Sequence, residues 1–368
     1  MSKDIKKLKV AIVHDWLVGG GAERVVYELH QMFPDAPIYT SYCTPEWRER
    51  LDNKVVTGFL QRWPFGKLRK FVGVLRIWWF GSLNFSGYDL VISSSGNGEA
   101  FGIHTPKGVP HICYCHAPTH YYWRHYDQYL RHPGFGIFNP LARLGLRILV
   151  GPLRRWDLRA SKNPDFFAAN STHTKSEIKQ FYKRDAIVVF PPIDIDRFKV
   201  TENYERKGYV TAGRQTPYKR TDLIVKACTK LGVPLTVIGR GPEHEKLKKM
   251  AGPTITFLTG VTDEEMPKHI ASAKAFLFAA YEDFGVTPVE ALAAGTPVIA
   301  YKDGGALDYV IQGKTGMFFA EQTVDSLCKA ILESEEISFN HKAIQKHATT
   351  FAPSVFRHTL TELVEKVT

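Results

Sequence analysis

Residues 9–32 read KVAIVHDWLVGGGAERVVYELHQM, and this stretch decides how the first half of the chain folds. Residues 9–14 form a short apolar run typical of a buried strand, glycines 19–21 follow at once, and Ala22–Met32 has helical character. A strand, a glycine loop and a helix in this order open an α/β unit of the nucleotide-binding type. We therefore expect a parallel sheet with helices on both faces.

The alternation of strands and helices continues along the chain and restarts after a polar stretch, residues 194–207, that has the composition of a linker. Strands are predicted over 38–42, 89–93, 111–115, 165–169, 187–190, 208–212, 234–238, 255–258, 275–278 and 297–300, and helices over 171–182, 221–231, 243–250, 264–273 and 288–294. The chain has 368 residues, which suits two domains. We predict one Rossmann-like domain over 1–190, a second over 191–350, and a C-terminal helix over 351–368 that crosses back to the first domain.

The composition and the charge limit the kind of protein this is. A hydrophobic content of 44% and a charged content of 23% are ordinary for a globular protein. The whole net charge of +11 falls in residues 1–190, which hold 26 Lys and Arg against 15 Asp and Glu. Such a bias favours an anionic partner. The five cysteines have no metal-ligand spacing, and no apolar run or N-terminal segment predicts a membrane span or a signal peptide.

The most informative stretch of the second half is EDFGVTPVE, residues 282–290. Thr287, Pro288 and Glu290 have the spacing of a capping box, in which Glu290 does no more than cap a helix. The functional interpretation has about equal weight. In it, the backbone amides before the helix point at an anionic or hydroxyl-rich ligand, and the two flanking carboxylates accept hydrogen bonds from sugar hydroxyls.

A second constellation follows the strand predicted over 208–212, in GRQTPYKR, residues 213–220. Arg214 and Lys219 lie at the start of the next helix, where two cations and the helix dipole would neutralise a diphosphate. A solvated basic loop is the commoner meaning of such a pair. The position at the carboxyl end of a strand favours a binding site.

These motifs together resemble the retaining glycosyltransferases of GT-B fold, family 4 (group 1), in their bacterial mannosyltransferase-like branch. The spacing of Glu282 and Glu290 fits the glutamate–seven residues–glutamate motif of that family, and Gly213, Arg214 and Lys219 fit its basic loop. Similar segments extend over nearly the whole chain: HDWL at 14–17, GGAE at 20–23, PDAPIYT at 34–40, SGYD at 86–89 and HICYCHAP at 111–118. The resemblance implies two Rossmann-like domains whose parallel sheets face each other across a cleft that holds the active site. Residues 1–190 would then be the acceptor-side domain, and residues 191–350 the nucleotide-sugar-binding domain.

The resemblance also implies a role for each matching residue. Arg214 and Lys219 would bind the donor diphosphate, Glu290 the ribose hydroxyls and Glu282 the transferred sugar. The amides of Phe284, Gly285 and Val286 would touch that sugar, Val261 would lie near the base, and Gly20 and Gly21 would let the backbone approach the phosphate and the acceptor.

His116 follows the strand predicted over 111–115. A histidine at such a place is often only a satisfied core or turn residue. The matching histidine of the family lies beside the transferred sugar, so we expect His116 to position sugar and acceptor, without assigning it as a general base. Weaker candidates are His14, Trp16, His120, Tyr121 and His125.

The predicted chemistry is hexosyl transfer with retention of configuration. The resemblance is to the GT-B fold and not to the other major transferase fold, which holds a divalent cation with an Asp-x-Asp motif, so we expect no metal and no cofactor. GDP-mannose is the expected donor, and the acceptor is a lipid-linked or polysaccharide glycan of a bacterial surface polymer such as O-antigen or capsule. A UDP-sugar donor, a GT-B-fold sugar-nucleotide epimerase and a non-catalytic binding module are the alternatives.

Two basic and apolar segments raise the question of membrane contact. Residues 62–80 combine five basic residues with three tryptophans, and residues 141–159 are similarly basic and apolar. Interleaved Trp and Lys/Arg suit a surface that enters the headgroup layer. Ordinary helices with apolar faces in the core explain the apolar residues equally well, but not the surplus charge. We predict a cytoplasmic protein attached peripherally to the inner face of the plasma membrane, with a polyprenyl-diphosphate-linked acceptor and no nucleic-acid partner.

Overall fold

The computed structural model describes residues 5–69, 72–124, 126–131, 136–199 and 205–368. The chain divides into two compact units. Unit 1 comprises residues 1–191 and 356–368, and unit 2 comprises residues 192–355. Each unit is built on one all-parallel sheet. The two units are therefore Rossmann-like domains, as the sequence predicts.

The sheet of unit 1 has seven strands in the order β3-β2-β1-β4-β5-β6-β7. They are β1 Val10–His14, β2 Ile38–Thr40, β3 Val55–Thr57, β4 Leu90–Ser95, β5 His111–Cys115, β6 Phe166–Ala169 and β7 Ala186–Val188. The central strands β1, β4 and β5 are buried along their whole length, which explains the apolar runs in β1 and in the first half of β4. The chain order reverses between β1 and β4, which makes this the switch point of the sheet.

Helices cover both faces of the sheet of unit 1. They are α1 Ala22–Met32, α2 Pro45–Arg50, α3 Gly73–Gly81, α4 Tyr126–Arg131, α5 Asn139–Ala160 and α6 Thr172–Glu177. Ser171 caps α6 by accepting a hydrogen bond from the amide of Thr174, and a wider π-helical turn, Ile178–Tyr182, continues the helix. The C-terminal helix begins in unit 2 and places Phe356, Leu360 and Leu363 in the core of unit 1, where Phe356 packs on Tyr114.

Unit 2 has a six-stranded sheet in the order β10-β9-β8-β11-β12-β13, with its switch point between β8 and β11. Its strands are β8 Tyr209–Ala212, β9 Leu235–Ile238, β10 Ile255–Leu258, β11 Ala275–Phe278, β12 Val298–Tyr301 and β13 Gly316–Phe319. Its helices are α7 Ile195–Phe198, α8 Thr221–Leu231, α9 His244–Met250, α10 Met266–Ala271, α11 Val286–Ala293, α12 Ala306–Tyr309, α13 Val324–Glu335, α14 His341–Ala348 and α15 Pro353–Val367, the last of which continues into unit 1.

Several sequence-based predictions differ from the structure. The edge strands β3 and β13 were missed: β3 has only three residues, one exposed and one half-buried, and β13 is a four-residue strand that begins with a glycine. The predicted linker over 194–207 contains the short helix α7, which Asp194 caps by accepting from the amide of Arg197. Residues 200–204 of that linker lie outside the described residues.

Candidate functional site

The switch point of unit 2 gathers the predicted site residues of the second half. Arg214 and Lys219 follow β8, and Glu282, Phe284 and Gly285 follow the neighbouring strand β11. A crevice at this edge is lined by Gly213, Arg214, Gln215, Lys219, Phe278 and Ala279, among others. The carboxyl edge of a parallel sheet at its switch point is where such folds bind ligands. The structure therefore brings two separate motifs of the sequence together at one place.

The loop after β9 packs directly against the loop that carries Arg214. A Cβ atom on Gly239 would lie 2.3 Å from the carbonyl oxygen of Gly213, and one on Gly241 would lie 2.3 Å from that of Gln215. The buried side chain of Gln215 donates to the carbonyl oxygen of Gly239 over 2.8 Å, and its own oxygen lies 2.7 Å from Nδ1 of His244. The glycines thus allow two backbones to touch, and Gln215 fixes their register.

Lys219 and Glu282 form an ion pair across the switch point. The ammonium group also lies 6.0 Å from the ring centre of Phe278. Both charged side chains are partly exposed, so a ligand phosphate can reach the lysine. The geometry provides a cation whose present partner is a carboxylate, which an incoming anion could replace.

The segment from Glu282 to Val286 packs directly on the backbone of Gly305. Gly305 donates its amide to the carbonyl oxygen of Glu282 over 2.9 Å, and a Cβ atom on Gly305 would lie 2.3 Å from Cα of Phe284. The ring of Phe284 is buried against Tyr309 and Phe351. This support fixes the start of α11, whose first amides have no acceptor within the helix.

The predicted capping box at residues 287–290 is wrong. The helix α11 begins at Val286, so the N-cap position falls on Gly285, which has φ 90 and provides no side-chain cap. Pro288 then lies within the first turn, where its missing N–H costs no hydrogen bond. Gly285 accommodates the positive φ at this position, which a residue with a side chain would adopt only with strain.

Glu290 is buried, and its Oε1 lies 3.6 Å from a guanidinium nitrogen of Arg197 on α7. The other terminal nitrogen of Arg197 lies 3.2 Å from Oδ2 of Asp263. Asp263 comes two residues after Val261, in the loop after β10. Arg197 therefore joins the position expected for the ribose to the position expected for the base.

Sequence reasoning missed Arg197 because it placed residue 197 in a linker. The available signal was the pattern Asp194-x-x-Arg197, in which an aspartate three residues before can cap a short helix. The backbone then holds the arginine in a fixed place, which a flexible linker would not do.

In unit 1, His116 follows β5 and lies near the switch point between β1 and β4. Its Nε2 lies 2.8 Å from Oγ of Ser94, while Nδ1 of His14 lies 2.8 Å from the carbonyl oxygen of Ser94. The two imidazole rings are 6.3 Å apart. Asn170 donates to the carbonyl oxygen of His116 over 2.8 Å. Ser94 thus links the two histidines and orients both rings.

Asp15 organises the loop after β4. Its buried carboxylate accepts from the amides of Gly96, Asn97 and Ala100 at 2.9–3.0 Å and from the hydroxyl of Ser95. This is a structural anchor that sequence reasoning did not single out.

Gly20 and Gly21 lie exposed just before α1, and Gly19 rather than either of them has a positive φ, of 107. Glu23 turns back to accept from the amide of Gly19 over 3.0 Å. Of the weaker candidates, Trp16 lies under the guanidinium of Arg76, and His125 lies outside the described residues.

The two basic and apolar segments differ in their burial. In the first, Trp79 and Phe80 belong to the core, and the buried Arg76 pairs with Glu99 over 2.7 Å, whereas Trp63 and Trp78 are exposed. Lys70 and Phe71 lie outside the described residues. The second segment is α5, which is exposed along most of its length. None of the helices among the described residues has the length and apolar character needed to span a bilayer.

Two family models match consecutive parts of the chain. One is described as Glycosyltransferase Family 4 and matches residues 19–197. The other is described as Glycosyl transferases group 1 and matches residues 192–350. Between them they extend over the site residues of both units.

The individual relatives of the chain include mannosyltransferases. The chain is 30% identical to a GDP-mannose-dependent alpha-(1-6)-phosphatidylinositol monomannoside mannosyltransferase of Mycolicibacterium smegmatis, over 52% of this chain and 56% of that protein. The chain spans about half the length of the mycobacterial relatives that it matches. It is 24% identical to the Alpha-1,3/1,6-mannosyltransferase ALG2 of Dictyostelium discoideum, with 100% of both chains covered.

Solved structures share the fold. The crystal structure of Anabaena Alr3699/HepE in complex with UDP matches with a TM-score of 0.70 and 17% identity, covering 98% of this chain and 100% of that one. The lipopolysaccharide outer core galactosyltransferase WaaB in its apo form matches with a TM-score of 0.67 and 16% identity, covering 97% and 99% of the two chains.

Proposed function

Since the chain belongs to the group 1 glycosyltransferases of family 4 and has the GT-B fold, we propose that it transfers mannose from GDP-mannose to a lipid-linked glycan. The observation that carries this proposal is the arrangement at the switch point of unit 2, where Arg214 and Lys219 lie beside the rigid start of α11. The mannosyltransferases among the relatives support the sugar and the base. The surface polymer would be O-antigen or capsule.

In the proposed mechanism, the donor diphosphate lies against Arg214 and Lys219 and replaces the pairing of Lys219 with Glu282. Glu282 is then free to accept hydrogen bonds from the hydroxyls of the transferred sugar. The buried hydroxyl of Tyr309 supports binding of a polar ligand here, because it has no hydrogen-bond partner among the described residues. It lies close to Gly285, at 2.9 Å from the place that a Cβ atom on that glycine would take. The ribose hydroxyls lie against Glu290, and the base lies near Val261.

The bond between the sugar C1 and the diphosphate oxygen breaks first, and charge develops on the leaving diphosphate. The two cations stabilise that charge without a metal ion. The acceptor hydroxyl attacks C1 on the face that the diphosphate leaves, and its proton passes to an oxygen of the leaving phosphate. The product retains the configuration of the donor, and His116 orients the sugar and the acceptor.

A thermal-shift panel without added metal tests the donor. The panel contains GDP, GDP-mannose, UDP, UDP-glucose and UDP-GlcNAc. A ligand at 100 times its dissociation constant stabilises the protein by about 2.7 kcal/mol, which is easily seen. We expect shifts with the two guanosine ligands only. A shift restricted to uridine ligands would move the proposal to a UDP-sugar donor, and no shift with any nucleotide would overturn it.

The anomeric configuration of the product, measured by NMR, tests retention separately. Inversion would refute the proposed mechanism while leaving the donor intact. Conversion of the donor without any acceptor would instead identify a sugar-nucleotide epimerase.

The surplus positive charge of residues 1–190 supports attachment of the protein to the inner face of the plasma membrane. A lipid-linked acceptor is presented at such a surface. Sedimentation with anionic vesicles at low salt tests this part, and it should weaken as salt rises.

A further inference from the structure

The helix α5 is unusual for its lack of packing. Of its 22 residues, only Asp157 and Ala160 are buried. Its first part exposes large apolar side chains: Leu141 is 68% exposed, Leu144 55% and Ile148 63%. A helix of a globular protein normally buries an apolar stripe, so this stripe needs a partner that the described residues of the chain do not provide.

The exposed apolar residues of α5 share one face with exposed cations. Successive helical residues turn by about 100°, so Leu141, Leu144 and Ile148 lie within about 60° of one another. By the same rotation, Arg155 and Arg159 continue this stripe toward the C-terminal end, and both are exposed. The stripe is therefore apolar in its first half and cationic in its second half.

We propose that this stripe of α5 is the element that enters the headgroup layer of an anionic membrane. The apolar side chains would reach the acyl boundary, and the guanidinium groups would contact lipid phosphates. This proposal deepens the proposed function, on which the identity of a lipid-linked acceptor rests. A second copy of the chain fits the stripe less well, because residues 1–190 hold 26 Lys and Arg against 15 Asp and Glu and two such surfaces repel each other.

The buried end of α5 connects this surface to the segment that follows His116. The carboxylate of Asp157 accepts from Oγ1 of Thr119 over 3.0 Å and from Nε1 of Trp123 over 2.6 Å. One turn earlier, Arg154 donates to the carbonyl oxygen of Tyr122 and lies 5.3 Å from the ring centre of Trp123. Docking of α5 therefore holds residues 119–123 near the membrane surface, where a lipid-linked glycan would be presented.

A fluorescent label tests which surface meets the membrane. All five native cysteines are buried, and burial raises the pKa of Cys43 to about 11, so an introduced exposed cysteine can be labelled selectively. We would label Leu144→Cys and Ile148→Cys of the full chain with an environment-sensitive dye. The matched control is Leu332→Cys, on α13 of unit 2, where the leucine is 51% exposed.

With vesicles of phosphatidylcholine and phosphatidylglycerol, both α5 labels should shift to the blue and the Leu332→Cys label should not. Vesicles of phosphatidylcholine alone should give a smaller shift, because they lack the charge that attracts the arginines. Unchanged α5 labels on sedimented protein would overturn the proposal, as would failure of the protein to bind anionic vesicles at all. A blue shift that grows with protein concentration in the absence of vesicles would identify a second copy as the partner.

The double variant Leu144→Asp with Ile148→Asp provides the disruption test. It should weaken binding to anionic vesicles by about tenfold or more, because it removes two apolar side chains from the interface. Its melting temperature and its thermal shift with GDP should match those of the unaltered chain, because both leucine and isoleucine are exposed. Unaltered vesicle binding would overturn the proposal. A missing GDP shift in both proteins would instead count against the proposed function alone.

Discussion

The two units have the same kind of sheet but differ in what the charged side chains at its carboxyl edge are paired with. In unit 2, Lys219 pairs with Glu282 and Arg197 pairs with Glu290 and Asp263. These are ion pairs between side chains, and all but Glu290 are partly or fully exposed. In unit 1, the carboxylate of Asp15 is occupied by backbone amides and a hydroxyl, and is buried.

The difference favours the edge of unit 2 over that of unit 1 as the proposed anion site. An ion pair between two partly exposed side chains costs less to open than a fully buried carboxylate, so a phosphate can take the place of Glu282. The amides that surround Asp15 would lose a buried acceptor if that carboxylate were displaced, which is expensive. We therefore expect substitutions at the edge of unit 2 to change nucleotide binding, and substitutions at the edge of unit 1 to change transfer or folding.

The largest effect is expected for Lys219→Gln. This change removes a cation from the place where charge develops on the leaving diphosphate, and it leaves Glu282 without its partner. The kcat of transfer should fall by about 10²–10³-fold. The matched control is Lys230→Gln at the other end of α8, whose ion pair with Asp325 lies on the surface. Equal activity of the Lys219→Gln and Lys230→Gln proteins in a steady-state transfer assay would contradict the assignment of unit 2.

The next effect concerns the support of the Arg214 loop. Gly239→Ala combines a φ of 114 with a Cβ atom 2.3 Å from the carbonyl oxygen of Gly213, so it should destabilise the protein by about 2–4 kcal/mol. Gly232→Ala has a φ of 67 but open space around its Cβ, so it should cost only about 1 kcal/mol. The difference between the melting temperatures of the two variants measures the cost of the steric clash, because both variants share the cost of a positive φ. Similar melting temperatures would mean that the two loops do not touch as described.

A smaller effect is expected in unit 1 from His116→Gln. Glutamine can still hydrogen-bond to Ser94 but lacks the ring that packs near His14 and Tyr114. The kcat should fall by about 10–100-fold, while the thermal shift with GDP should stay unchanged. Loss of the thermal shift with GDP would contradict the assignment of nucleotide binding to unit 2 alone, because it would make the edge of unit 1 part of the nucleotide site.

Much of the fold could be predicted from the sequence because the central strands are buried on both faces. Val10–His14 and Ala275–Phe278 read as continuous apolar runs, and glycines or helix caps mark their ends. Val55–Thr57 escaped prediction because it is a three-residue edge strand with one exposed and one half-buried residue. Local sequence carries little information about such a strand, since only its neighbour β2 defines it.

The grouping of the candidate site residues was predictable where they share a local motif. Arg214 with Lys219, and Glu282 with Glu290, each lie within one short stretch, and the topology then brings the two stretches together. The partner of Glu290 was not predictable, because Arg197 lies 93 positions away in a segment of polar composition. The apolar face of α5 could be detected from its composition, but its exposure could not, because the same pattern also suits a core helix.

The smallest effect is expected for Arg197→Gln, and it tests whether the ion pairs of unit 2 orient the site before a ligand binds. Without Arg197, the buried Glu290 loses a cation 3.6 Å from its carboxylate, so its orientation toward the ribose is held less firmly. Affinity for GDP should fall by about tenfold, which corresponds to about 1.4 kcal/mol, while kcat at saturating donor should stay nearly unchanged. Arg197→Lys keeps a positive charge but cannot bridge Glu290 and Asp263 together. Its dissociation constant for GDP should therefore lie between those of the unaltered protein and of Arg197→Gln. Calorimetric titration with GDP measures all three proteins, and equal dissociation constants would show that Glu290 needs no partner on α7.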